Sequence, residues 1–426
     1  MISLSKEQFS YLIVTSAYWV FMLSDGALRM LVLLHFHQNG FSPLQLAYLF
    51  LFYELAGIFT NPSAGWLAAR YGLKLTLYAG LIVQIISLTS LSQLNDNWNQ
   101  NFSIFYVLIV QGLSGIAKDL TKMSSKSAVK LLAPNNQSSL FRWVAILTVS
   151  KNAVKGFGFL LGCVLLATIG FYNSLITMVI IVFCVLICSL FFLKDDLLNK
   201  NNKAKLFDVF SKSKNINFLS AARIFLFGAR DVWFVVGLPI FFYSIFSDGS
   251  VDGNKKAFFI IGSFMATWII MYGIIQAYSP KLFLKKGSIK INLVDISKIW
   301  IFYLLVNLII LTCLLLVFSE IFLTKIFLFS GLFIFCGIFA VNSSIHSYLI
   351  LHFSKKNRVS LDVGFYYMAN STGRFVGTFL SGISYQLGGL TLSLATACIL
   401  VIMCFFSPII FQIWINRIIK FIVIKR

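Results

Sequence analysis

The chain has 426 residues, 59% of them hydrophobic, 16% aromatic and only 12% charged, yet 35 Lys and Arg against 14 Asp and Glu give it a formal net charge of +21. A soluble domain carries about 25% charged residues and less than half apolar ones, which excludes an ordinary cytosolic enzyme, and so apolar a chain is not disordered. A basic nucleic-acid binder and a membrane protein with positive loops remain, and the placement of the charges separates them.

Apolar stretches of about the 20 residues that a helix needs to cross a bilayer recur along the chain. Twelve are predicted, at 10–35, 44–69, 75–93, 103–125, 140–168, 171–193, 218–246, 257–283, 298–318, 321–350, 360–386 and 389–414, so the expected class is an all-α membrane protein with twelve transmembrane helices. Those longer than 25 residues imply tilt or protruding ends. The first is not a cleaved signal peptide: it is too long, contains Asp25 and Arg29, and lacks a small-residue cleavage site. The longest polar stretch, 194–217, holds Lys194, Lys200, Lys203, Lys205, Lys212 and Lys214. It divides the chain into six-helix halves at 1–193 and 218–426, a pattern expected of transporters built from two parallel repeats. Gly26-Ala27-Leu28-Arg29 in the first segment is echoed by Gly228-Ala229-Arg230-Asp231 in the seventh.

Lys and Arg mark the cytoplasmic side. With both termini inside, about 24 lie on cytoplasmic segments and helix ends, chiefly the linker, 281–298, 355–358 and 417–426, and about 3 (Lys255, Lys256 and Lys325) lie outside. The chain is thus expected to be a multi-pass plasma (inner) membrane protein that binds no nucleic acid.

About 8 basic residues remain within the apolar segments: Arg29, Lys118, Lys122, Lys151, Lys155, Arg223, Arg230 and Arg374. Each would cost about 2.5–3.5 kcal/mol facing lipid at mid-depth, so they are expected to face a cavity or partners inside the protein. The acids there are fewer, Asp25, Glu54, Asp119 and Asp231, and the surplus of positive charge calls for an anionic cargo. Asp25 and Arg29, four apart, can pair on one helix face, whereas Lys151 and Lys155, also four apart, repel unless something negative lies nearby. Lys118, Lys122, Lys126 and Lys130 form a ladder whose lower two members read as cytoplasmic anchors. Arg223 and Arg230 are seven apart on one face, with Asp231 turned about 100° away. Arg230 reads as the deeper, functional member and Arg223 as an anchor at the inner surface. Arginine's forked donors suit phosphate-like oxyanions, whereas lysine acts as a point charge.

The seven cysteines, Cys163, Cys184, Cys188, Cys313, Cys336, Cys398 and Cys404, are scattered as small buried hydrophobes would be, and His35, His37, His346 and His352 read as interfacial. No metal or cofactor is expected, and there is no Walker loop, nucleophile elbow or dinucleotide fingerprint.

Two six-helix halves, with Gly65-Trp66-Leu67-Ala68-Ala69-Arg70-Tyr71-Gly72-Leu73-Lys74 between the second and third segments, resemble the major facilitator superfamily and its signature loop, departing at Ala69, where an acid is usual. Leu108 stands where proton-coupled drug exporters of that superfamily carry Arg, and Gly156, Gly158 and Gly162 lack the proline of the antiporter motif. A closer resemblance is to the ArsJ-type organoarsenical efflux transporters. It is carried by Ser24-Asp25-Gly26-Ala27-Leu28-Arg29-Met30 with His35-Phe36-His37, Phe52-Tyr53-Glu54, Ile116-Ala117-Lys118-Asp119-Leu120, Lys122-Met123-Ser124, Ser150-Lys151-Asn152 with Lys155-Gly156, and Gly228-Ala229-Arg230-Asp231-Val232-Trp233.

This resemblance implies export of 1-arseno-3-phosphoglycerate from the cytosol, where a glyceraldehyde-3-phosphate dehydrogenase makes the ester, and hence arsenate resistance. On this reading a monomer works by alternating access: Arg29, Lys118, Lys122, Lys151, Lys155, Arg230 and Arg374 bind the anion, while Asp25, Glu54, Asp119 and Asp231 pair with them when the site is empty or carry a coupling proton. The alternative is an exchanger of another small organic phosphate or of phosphate. A membrane-embedded enzyme acting on phosphorylated lipids would rest on Asp195-Asp196 alone, and a channel would need rings of like residues along a pore.

Overall fold

A backbone inside a bilayer has to satisfy its own hydrogen bonds, and a helix does so within one segment. The computed structural model describes residues 6–95, 97–132, 137–193, 213–283, 293–318, 322–354 and 359–424. Eleven helical elements follow in order: α1 (Lys6–Gln38), α2 (Pro43–Tyr71), α3 (Leu73–Leu91), α4 (Gln100–Leu132), α5 (Gln137–Phe192), α6 (Lys214–Phe234), α7 (Gly237–Phe246), α8 (Val251–Phe283), α9 (Leu293–Val317), α10 (Phe322–Phe353) and α11 (Val359–Ile424). Among the described residues, 10 spans are long and apolar enough to cross a membrane, with α6 and α7 together forming one of them, Lys214–Phe246. Large apolar side chains cover the outside, with Phe59, Phe191 and Leu387 each more than two-thirds exposed. Helices apolar all round are expected where lipid is the solvent.

α5 and α11, at 56 and 66 residues, are each far longer than the roughly 20 residues one crossing requires. Each breaks at glycine: Gly170 has φ 76° and ψ −179°, and Gly389 has φ 60° and ψ −156°, values that a side chain disfavours. The contacts show that the chain turns back at both breaks. Before Gly170, α5 runs parallel to α1: Trp19 meets Ser150, Asp25 meets Lys155 and Ala27 meets Gly162. Beyond it the direction is opposite, since His35 stacks on Phe171 at 3.9 Å and Phe9 touches Phe192. α11 does the same against α6. Ile224 meets Gly373 and Gly228 meets Gly377 before the break, while Gly228 meets Leu400 and Ala222 meets Cys404 after it.

Glycine brings these seams close. A Cβ on Gly158 would stand 2.5 Å from the Leu23 carbonyl oxygen, and one on Gly377 2.7 Å from that of Gly228. α6 starts at Lys214, so residues 214–217 of the expected linker are helical. Residues 194–212, 284–292 and 355–358, with 11 of the Lys and Arg residues that set the expected orientation, lie outside the described residues, as does Asp195-Asp196.

Candidate functional site

α1, α2, α4, α5, α6 and α11 converge on one buried cluster of charge. Glu54, fully buried on α2, accepts through a single oxygen, Oε1, from Arg29 of α1 at 2.8 Å and from Arg374 of α11 at 2.6 Å. Arg374 turns its Nε to Asp231 of α6, 3.1 Å away, and Asp231 also takes a hydrogen bond from Arg230 Nε at 2.6 Å. Arg29, Glu54, Arg374, Asp231 and Arg230 thus form one unbroken relay. Beside it Lys155 of α5 pairs with Asp25 of α1 at 3.1 Å, and Asp25 also accepts the Tyr53 hydroxyl. The Lys118 ammonium lies over the Tyr53 ring, 4.0 Å from its centre, and makes no ion pair among the described residues. A cation on an aromatic face is stabilised by about 2 kcal/mol or more when desolvated.

A second arm lies toward the end of α4. Asp119 accepts from Lys122 at 2.9 Å, from Thr60 at 2.5 Å and from Asn61 at 3.3 Å. Asn61 in turn accepts from Lys122 and donates to Ser371 of α11 at 3.0 Å. Lys122 also sits 5.3 Å from the Tyr367 ring.

The side chains of the four acids are at most 2% exposed, while those of the five cations they hold are 10–16% exposed. Asp25, Asp119 and Asp231 are bonded through both carboxylate oxygens, Glu54 through Oε1 alone with its buried Oε2 left over, and each cation keeps an open edge.

Several expectations change. Asp25 and Arg29 do not pair with each other: the glycine seam lays Lys155 beside Asp25, and Arg29 reaches across to Glu54. Arg230 and Asp231 are bonded despite their 100° offset, because the long arginine side chain folds back on its neighbour. Arg223 is no surface anchor. It is 4% exposed and bonded to Asn370 at 2.9 Å and Ser343 at 3.0 Å. His346 is likewise buried, 3.1 Å from the Ser297 hydroxyl, and Cys184, Cys188 and Cys313 are exposed on the apolar outside rather than buried. Lys151 is half-buried on α5, and the side chains of Lys126 and Lys130 fall outside the described part. Among the described residues no group of three or more His, Cys, Asp or Glu could hold a metal.

Sequence reasoning missed Tyr53, Thr60, Asn61 and Ser371, the neutral members that hold the charged ones in place. A polar side chain within an apolar helix was the available signal, and Asn61 beside Pro62 in α2 shows it.

The overall architecture has close counterparts. A substituted form of the nucleoside transporter NupG superposes with a TM-score of 0.70 at 15% identity, over 94% of this chain and 99% of that one. A POT family transporter in complex with a thioalcohol-conjugated peptide gives 0.69 at 15% identity, over 96% of each chain. A bacterial homologue of the iron transporter ferroportin, in an outward-facing state, gives 0.64 at 13%, over 95% and 99%. At these identities the likeness concerns the fold. No curated protein matches the sequence. The family model of the Major Facilitator Superfamily matches residues 14–307, and with more than half the chain covered, this protein belongs to that superfamily of membrane transporters.

Proposed function

We propose that the protein is a twelve-crossing secondary transporter that exports a small polyanion by alternating access, with 1-arseno-3-phosphoglycerate as its cargo. The reversals at Gly170 and at Gly388–Gly389 raise ten spans to twelve, in two halves of six. One observation carries the anion reading: four carboxylates hold five cations directly, and Lys118 stands beside them with no ion pair of its own among the described residues. A buried surplus of charge is costly unless compensated, and a mobile anion compensates it without being part of the chain. The choice of cargo rests on the resemblance of the polar strings around these same residues to organoarsenical exporters.

Arg374 gives the cycle a physical basis. It bridges Glu54 of one half to Asp231 of the other. An entering dianion competes for Arg374, Arg29 and Arg230, loosens that bridge and lets the halves rock. Lys118 and Lys155 neutralise the remaining oxygens, Lys122 and Lys151 guide the anion toward them, and a freed Glu54 or Asp231 can take a coupling proton.

The test is uptake into everted membrane vesicles, comparing the arseno ester made in situ with plain phosphoglycerate. Wild-type vesicles should concentrate the ester, and a Lys118→Ala/Arg230→Ala variant should not. Equal uptake by the two would remove the site, and preference for phosphoglycerate would make the protein an exchanger of organic phosphates.

A further inference from the structure

The buried Arg223 has no part in the relay, and among the described residues it forms no ion pair. Its Nε and one Nη donate to Asn370 Oδ1 and Ser343 Oγ, while Tyr272 and Gln276 also crowd Ser343, at 3.1 and 3.3 Å. All these partners are neutral, and among the described residues no carboxylate pairs with this guanidinium. The second Nη makes no hydrogen bond among them. Two buried hydroxyls lie nearby: that of Tyr366, whose ring centre is 4.9 Å from the guanidinium, and that of Ser220, one helical turn earlier on the same face of α6, which has no hydrogen-bond partner among the described residues. A cation without an ion pair among the described residues, with hydroxyl donors beside it, matches the donor set of an oxyanion site.

Its position specifies which oxyanion. Arg223 and Arg230 lie against the same Phe227 ring, 3.8 and 4.8 Å from its centre, so the two cations are no further apart than those distances together. Three carbons separating two anionic groups span a comparable gap. We infer that Arg223, with Tyr366 and Ser220, is a second anion-binding site that takes the far end of a two-ended cargo whose near end rests on Arg230 and Arg374. This rests on the polyanion reading above and adds which residues take the second charged end.

The test is ligand binding to the purified full-length protein in detergent micelles by titration calorimetry, with inorganic phosphate as the one-ended probe and 3-phosphoglycerate as the two-ended one. Wild type should bind 3-phosphoglycerate at least tenfold more tightly than phosphate. Arg223→Gln should remove that advantage and leave phosphate affinity unchanged, while Arg223→Lys should retain part of it. An advantage undiminished in Arg223→Gln, or equal losses for both probes, would overturn the inference while leaving the central site standing. Failure of wild type to bind either probe would overturn both readings. Should Arg223→Gln not fold, Tyr366→Phe and Ser220→Ala decide the matter: each should narrow the advantage, and an unchanged ratio in both would refute the site.

Discussion

The α1–α5 and α6–α11 seams are built alike and charged differently. In each, a glycine lets two helices approach until a single methyl would collide with a carbonyl, Gly158 against Leu23 and Gly377 against Gly228. In each, the residue three positions earlier is a cation held by an acid on the neighbouring helix: Lys155 with Asp25 in the first, Arg374 with Asp231 in the second. There the likeness ends. The lysine is a point charge serving its own seam, whereas the arginine's fork reaches both Asp231 and Glu54 of α2 and so joins distant parts of the chain. Packing repeats because backbone approach is generic, and charge diverges because a guanidinium fork can reach two acids where an ammonium serves one.

Arg374→Met tests this contrast most severely. Glu54 and Asp231 each lose a partner, and breaking a buried pair from one side costs about 3–5 kcal/mol. Unfolding free energy in micelles should fall by that much, and vesicle transport should be abolished. Lys155→Met should cost less, about 1–3 kcal/mol, because it takes a partner from one acid where Arg374→Met takes one from two. Equal losses at the two positions would erase the distinction between a bridging and a local cation.

Gly158→Ala and Gly377→Ala sharpen the shared part. Overpacking of this kind costs about 1–3 kcal/mol, and similar losses at both sites are expected in thermal unfolding. A loss at one site alone would show the seams to be unlike. Ser371→Ala removes the contact from α11 to Asn61 and should cost about 0.5–1.5 kcal/mol, visible as a small fall in melting temperature with the relay intact. Cys184→Ala, on the exposed apolar surface, should change stability by no more than about 0.5 kcal/mol.

Legibility in the sequence tracked the range of the interaction. Helical segments were visible because hydropathy is local, and breaks were predicted at 169–170 and 387–388, next to the glycines where the chain reverses. The cluster's charged members were visible too, since a Lys or Arg in an apolar helix stands out. Their partners were not: Asp25 and Arg29 are spaced for a pair, yet the close approach at Gly26 and Gly158 supplies a nearer cation to Asp25. Arg223 was misplaced for a related reason. Nearness to a helix start suggested a surface anchor, whereas three other helices cover it with Tyr272, Ser343 and Asn370.

The sequence by itself determined that this chain lives in a membrane, that it is helical, and that it carries more positive than negative charge where lipid would penalise both, because transfer free energy depends on composition along a segment. Only the tertiary structure decided which acid answers which cation, that one arginine joins α2 to α6 and α11, and that another is held by neutral partners among the described residues. Those outcomes depend on distances of a few ångströms between helices up to 320 residues apart, where a glycine or the reach of a single side chain decides the partner.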